Sequence, residues 1–148
     1  MSFTGSNLQN VSSKMYADVL GHGFAPGTPI IIYPLNEAPS GTMNQQWRIV
    51  PMPSGKNLFT IQSVLTGLYA VVDGRPDVNQ GIVTGVVAMP WEINTIGGPT
   101  SHSVTISVPN SDLFWNVPSD VLLTKIILSK QNNGASQMWT PKATLPSL

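Results

Sequence analysis

Apolar residues in this chain come in short runs rich in β-branched side chains, and each run ends at glycine, proline, asparagine or serine. The Ile30-Ile31-Ile32-Tyr33 and Lys125-Ile126-Ile127-Leu128 runs are of this kind, and no 11-residue window sustains a helical period. The pattern predicts strands near Asn7–Val11 and over Met15–Val19, Pro29–Tyr33 and Gln46–Val50, then over Leu58–Ser63, Leu68–Val72, Ile82–Gly85 and Trp91–Thr95. A last set follows over Val104–Val108, Leu113–Val117, Lys125–Ser129 and Gln137–Pro141. Turn chemistry separates the runs at Ala25-Pro26-Gly27, Pro39-Ser40-Gly41, Pro53-Ser54-Gly55, Asp73-Gly74-Arg75-Pro76, Gly97-Gly98-Pro99 and Asn132-Asn133-Gly134.

Three of these runs carry a tryptophan at a near-even interval, and the steps from Trp47 to Trp91 and from Trp91 to Trp139 are 44 and 48 residues. Self-similarity at such a period marks a repeated unit. One module is written three times, over approximately residues 1–52, 53–98 and 99–148, with four short strands in each copy. Twelve short strands in three copies predict an all-β single domain, a barrel capped by hairpins that leaves no long open edge, which is the β-trefoil.

Composition removes several classes of function. The chain of 148 residues carries seven basic and seven acidic side chains, so no basic stripe attracts a phosphate backbone and nucleic-acid binding is not expected. Cysteine is absent, which excludes disulfides, thiolate nucleophiles and Cys-based zinc sites. No apolar run reaches the roughly 18 residues of a membrane-spanning helix. The opening residues Met1-Ser2-Phe3-Thr4-Gly5-Ser6-Asn7 lack the charged and apolar regions of a secretory signal, so a cytoplasmic protein is expected. The sequon Asn10-Val11-Ser12 then carries little weight.

The Gln-Xaa-Trp elements at 45–47 and 137–139, together with the stretch from Leu35 to Trp47, resemble the ricin B-like (R-type) lectins, and among them the cytosolic mushroom β-trefoil lectins. The third unit is similar through Val117-Pro118-Ser119-Asp120, Lys125-Ile126-Ile127-Leu128 and Gln137-Met138-Trp139. The second unit departs from the motif, with Met89 and Pro90 before Trp91. The resemblance implies a sugar site beside each Trp. An acidic residue follows the second strand, a ring ends the third, and an Asn-Gln pair precedes the Trp. Mushroom members add an Asn from the loop between. The chemistry suits a sugar. A carboxylate accepts from two vicinal hydroxyls in charge-assisted bonds, and an amide both donates and accepts. A ring covers the apolar face of the pyranose.

Matching the copies predicts which one binds. The acid position reads Asp18, Val71 and Asn116; the ring position Tyr33, Gly85 and Ser129; the amide position Asn44, Ala88 and Ser136. Only the first unit keeps the set, joined by Asn36 and by Gly21, whose missing Cβ allows backbone close to a ligand. The resemblance thus implies a lectin for terminal galactose or N-acetylgalactosamine, with glycans or glycoproteins as partners and Asp18, Gly21, Tyr33, Asn36 and Asn44 as the site. Gln45 is expected to brace the loop behind it. A single shallow site is weak, so a homodimer is expected to supply avidity.

No catalytic group, metal or cofactor is indicated. His22 and His102 stand alone, no Gly-Xaa-Ser-Xaa-Gly elbow exists, and Asp73 and Asp77 flank a solvated turn. Leu113-Phe114-Trp115 puts two aromatics on opposite faces of a strand, so one of them is expected at the surface. The loop Gly21-His22-Gly23-Phe24-Ala25-Pro26-Gly27 supports a second reading. Mushroom trefoil families include inhibitors of papain-like and pepsin-like proteases, and a rigid loop with Phe24 at its tip suits a protease cleft.

Overall fold

The computed structural model describes residues 5–37, 39–97 and 102–144. Twelve strands are formed: β1 (Ser6–Asn10), β2 (Tyr16–Val19), β3 (Ile30–Tyr33), β4 (Trp47–Pro51), β5 (Leu58–Ser63), β6 (Tyr69–Val72), β7 (Ile82–Gly85), β8 (Trp91–Thr95), β9 (Val104–Ser107), β10 (Leu113–Asn116), β11 (Ile127–Lys130) and β12 (Trp139–Ala143). Of the turn expected at Gly97-Gly98-Pro99, Gly98 and Pro99 lie outside the described residues. The strands at Lys125 and Gln137 begin two residues later than their apolar runs. In the second case Ala135–Gln137 forms a single 3-10 turn, as Met43–Gln45 does before β4. A Gln in that turn directs its amide at the loop behind it rather than into a ladder.

Pairing closes a ring. β1 pairs with β4, β4 with β5, β5 with β8, β8 with β9, β9 with β12 and β12 with β1, all antiparallel. This six-stranded barrel has no edge. The other six strands form the hairpins β2–β3, β6–β7 and β10–β11, one per repeat. Single bridges tie the hairpins to one another, Pro29 to Val83, Ile31 to Lys125 and Gly81 to Ile127. The molecule is a β-trefoil.

Register makes the repeats comparable atom by atom. Asp18 faces Ile31, Val71 faces Val83 and Asn116 faces Ile127; Tyr33, Gly85 and Ser129 end their hairpins opposite Tyr16, Tyr69 and Phe114. These are the matches the sequence predicts. The three Trp are fully buried, and each indole Nε1 donates to the equivalent hairpin carbonyl: Trp47 to Ala17 at 3.1 Å, Trp91 to Ala70 at 2.8 Å and Trp139 to Trp115 at 3.4 Å. A ring that fills the core and also satisfies a buried carbonyl ties each hairpin to its barrel strand.

The expectation that Phe114 or Trp115 is exposed is overturned, since both are buried. Trp115 stands where repeats one and two have Ala17 and Ala70. It fills the space between Trp91 and Trp139, edge to face with both at 5.4 and 5.9 Å between ring centroids. Its own Nε1 is buried without a partner. Phe114 lies on the other face, which in these hairpins is also covered, as the burial of its counterpart Tyr16 shows. The sequon residue Asn10 is buried as well, its amide donating to the Ser136 carbonyl at 3.0 Å.

Candidate functional site

Asp18 sits near the end of β2 with its carboxylate buried under the Met43–Gln45 turn. Asn44 Nδ2 donates to Asp18 Oδ1 at 2.9 Å, and Gln45 Nε2 donates to Asp18 Oδ2, also at 2.9 Å. A carboxylate has about four acceptor positions, so this pair of bonds fixes its plane and leaves two positions for a ligand. Burial pushes the Asp18 carboxyl above its usual 3.8, while the bonds from Gln45 and Asn44 and the nearby His22 pull it down.

Gln45 is fully buried and braces the loop, as expected. Its Nε2 also donates to the Pro34 carbonyl at 2.8 Å, and its Oε1 accepts from the Asn36 backbone at 3.0 Å. The side chain of Asn36 donates to Thr42 Oγ1 at 2.9 Å, and Thr42 in turn donates to Asn44 Oδ1. One chain of amides and a hydroxyl thus runs from Asn36 through Thr42 and Asn44 to Asp18.

These groups open on one cleft of about 320 Å³, lined by Asp18, Leu20, Gly21, His22, Ile31, Tyr33, Asn36, Asn44 and Leu123. All five residues predicted as a sugar site line it. Gly21 also meets a backbone requirement: its φ is +60°, a left-handed turn after β2, and open space surrounds its Cβ position. His22 follows at φ +56°. Sequence reasoning left Leu20, Ile31 and Leu123 out of the site and placed His22 only in the protease loop. Ile31 was recoverable, since it faces Asp18 across the hairpin. Leu123 was not, because it comes from the loop between β10 and β11.

The remaining residues of the 21–27 loop do not line this cleft. Phe24 is 65% exposed at the tip. The loop is held by Gly23 N donating to the Leu20 carbonyl at 3.1 Å and Gly27 N to the Thr84 carbonyl at 2.7 Å.

Repeat three keeps the frame and changes the chemistry. Gln137 Oε1 accepts from the Asn132 backbone at 2.9 Å and Nε2 donates to the Lys130 carbonyl at 2.8 Å, the contacts Gln45 makes in repeat one. At the acid position, however, Asn116 Oδ1 accepts from Ser136 Oγ at 2.7 Å. The cleft there, about 490 Å³, holds Asn116, Ser119, Asp120, Asn132 and Ser136 but no ring. In repeat two the acid and ring positions are Val71 and Gly85, and a Cβ on Gly85 would meet Val71 Cγ2 at 2.6 Å. The valine fills the space a side chain at the ring position would need.

Comparison with known proteins agrees with this frame. A family model described as ricin-type beta-trefoil lectin domain-like matches residues 43–128, and the chain belongs to that family. Among solved structures it is similar to a ricin B-like lectin of Macrolepiota procera in complex with lactose, at 21% identity over 96% of each chain with a TM-score of 0.82. It is similar also to ThreeFoil, a designed threefold-symmetric protein, at 18% identity over 93% of this chain and 97% of the other, TM-score 0.81. The C-half of an earthworm R-type lectin in complex with GalNAc matches at 20% identity over 94% and 98%, TM-score 0.66.

Proposed function

We propose that this protein is a non-enzymatic lectin binding terminal galactose or N-acetylgalactosamine through the cleft of its first repeat. The observation that carries this reading is convergence. Five residues from separate segments meet on one cleft around a carboxylate already oriented by two amides. Asp18 holds vicinal hydroxyls, Tyr33 covers the apolar face of the ring, and Asn36 and Asn44 complete the polar contacts. Family membership and the sugar-bound lectins it resembles support carbohydrate as the ligand class. Preorganisation lowers the cost of binding, yet so small a cleft is expected to give a dissociation constant near millimolar, about −4 kcal/mol.

The Asp18→Asn variant tests the assignment. Its side chain matches the carboxyl in size, so it is expected to keep the near-ultraviolet signature of the buried tryptophans, and it sets an N–H₂ where the carboxylate accepted, so it is expected to lose retention on a galactose matrix. Undiminished retention by a folded variant would remove Asp18 from the site. With one complete site per chain, avidity calls for a homodimer. Sedimentation of the protein as a monomer at cellular concentrations would contradict that.

Exposed Phe24 on a hydrogen-bonded loop supports a second reading, inhibition of a papain-like or pepsin-like protease through residues 21–27. It requires inhibition at high micromolar protein and its loss in Phe24→Ala; an inert wild type ends it.

A further inference from the structure

Each repeat sends the loop between its two hairpin strands onto the third strand of the next repeat, and all three make the same joint. Gly27 N donates to the Thr84 carbonyl at 2.7 Å, Asn79 N to the Leu128 carbonyl at 2.8 Å, and Leu123 N to the Ile32 carbonyl at 2.9 Å. In each case the acceptor residue returns a bond to the next carbonyl along, of Thr28, Gln80 and Thr124. The joint requires a left-handed backbone, with φ of +90° at Gly27, +72° at Asn79 and +70° at Leu123. Glycine adopts this region freely and asparagine readily; leucine is strained there.

Repeats one and two therefore display what the backbone prefers at this position, and repeat three departs from it. The departure falls on the joint that overhangs the repeat-one cleft, where Leu123 is half-exposed and forms part of the wall beside Ile31 and Leu20. Packing does not account for a strained leucine left half in solvent. A side chain held at a conformational cost beside a binding cleft points to use of that side chain.

We propose that Leu123 is a specificity-determining residue of the sugar cleft, taking an apolar substituent of the bound sugar, the methyl of a 2-acetamido group. This rests on the lectin reading above. An aliphatic wall formed by Leu20, Ile31 and Leu123 offers no partner to a hydroxyl, and desolvating one against it is unfavourable. The acetamido methyl gains by the same contact, while Asn36 and His22 in the same cleft offer polar edges to its amide.

The test is calorimetric titration of wild type, Leu123→Gly and Asp18→Asn with galactose and with N-acetylgalactosamine, alongside thermal melts. Wild type is expected to prefer the acetamido sugar. Leu123→Gly is expected to melt no lower than wild type, because the strain is relieved, and to lose about fourfold of that preference, the value of one buried methyl. Galactose should lose less affinity than N-acetylgalactosamine does. An unchanged preference, or an equal loss for both sugars, overturns the role of Leu123 while leaving the cleft as a sugar site if Asp18→Asn binds neither. A lower melting temperature for Leu123→Gly assigns the leucine to packing and overturns the proposal. Wild type that binds neither sugar overturns the lectin reading and this inference with it.

Discussion

Repeats one and three share a frame and differ in what the frame presents. Gln45 and Gln137 make the same two backbone contacts, and Trp47 and Trp139 donate to equivalent hairpin carbonyls. Yet the Gln45 amide reaches a carboxylate, whereas that of Gln137 reaches the Ser129 hydroxyl at 2.8 Å. The tryptophan and the Gln-Xaa-Trp glutamine therefore belong to folding, and a repeat can retain both while its ligand groups diverge. Repeat two shows the limit, since it lacks the glutamine and keeps the indole bond.

The largest effect expected from this comparison is on stability and should be the same in both repeats. Trp47→Ala and Trp139→Ala should each cost about 3–5 kcal/mol in denaturant unfolding. A large difference between them would mean that the shared frame is not equally stabilising. Next come the glutamines. Gln45→Ala and Gln137→Ala each remove two part-buried hydrogen bonds to loop backbone, at about 0.5–1.5 kcal/mol per bond. Only the first should also abolish sugar retention, because only it frees the Asp18 carboxylate to turn.

Acidification sharpens the contrast by a smaller amount. The Asp18 carboxyl is raised above 3.8 by burial. A raised acid favours folding in its protonated form, so its contribution is fully present below 3.8 and is lost as pH rises through the folded-state value. Wild type should therefore gain stability relative to Asp18→Asn as pH falls through this window. Sugar affinity should move the other way, weakening at a higher pH than for an ordinary carboxylate because the proton occupies an acceptor position. Parallel melts and titrations from pH 7 to pH 3 check both signs, and equal pH profiles for the two proteins would contradict the burial argument. The smallest effect belongs to the graft. In an Asp18→Asn background, Asn116→Asp alone should restore no galactose retention, since repeat three also lacks the ring. Adding Ser129→Tyr and Ser136→Asn should restore a measurable part.

Much of this was legible in the chain. The Trp period and the Gly, Pro and Asn punctuation are local signals, and they were enough for twelve strands and for the match of Asp18 with Val71 and Asn116. The resemblance to the R-type lectins implied the kinds of ligand group, and laying the copies on one another singled out the first as the one that keeps Asp18, Gly21, Tyr33, Asn36 and Asn44 as candidates. Two features escaped that comparison. One of Phe114 and Trp115 was expected at the surface because alternation assigns opposite faces to neighbouring residues but does not say that both faces are covered. Leu123 was passed over because nothing in Val121-Leu122-Leu123 marks a left-handed joint; glycine and asparagine announce that conformation, and leucine does not.

The amino-acid order by itself therefore determined the repeat, the hairpins, the buried indoles and the one copy with the full candidate set, since each depends on neighbours within a strand or on spacing between equivalents. Only the folded chain decided how the carboxylate is oriented, that Gly21 serves as a turn, and that a leucine of the third repeat walls the cleft of the first. Those outcomes depend on segments distant in sequence meeting around a closed barrel, and the cyclic handshake of its hairpins brings them together.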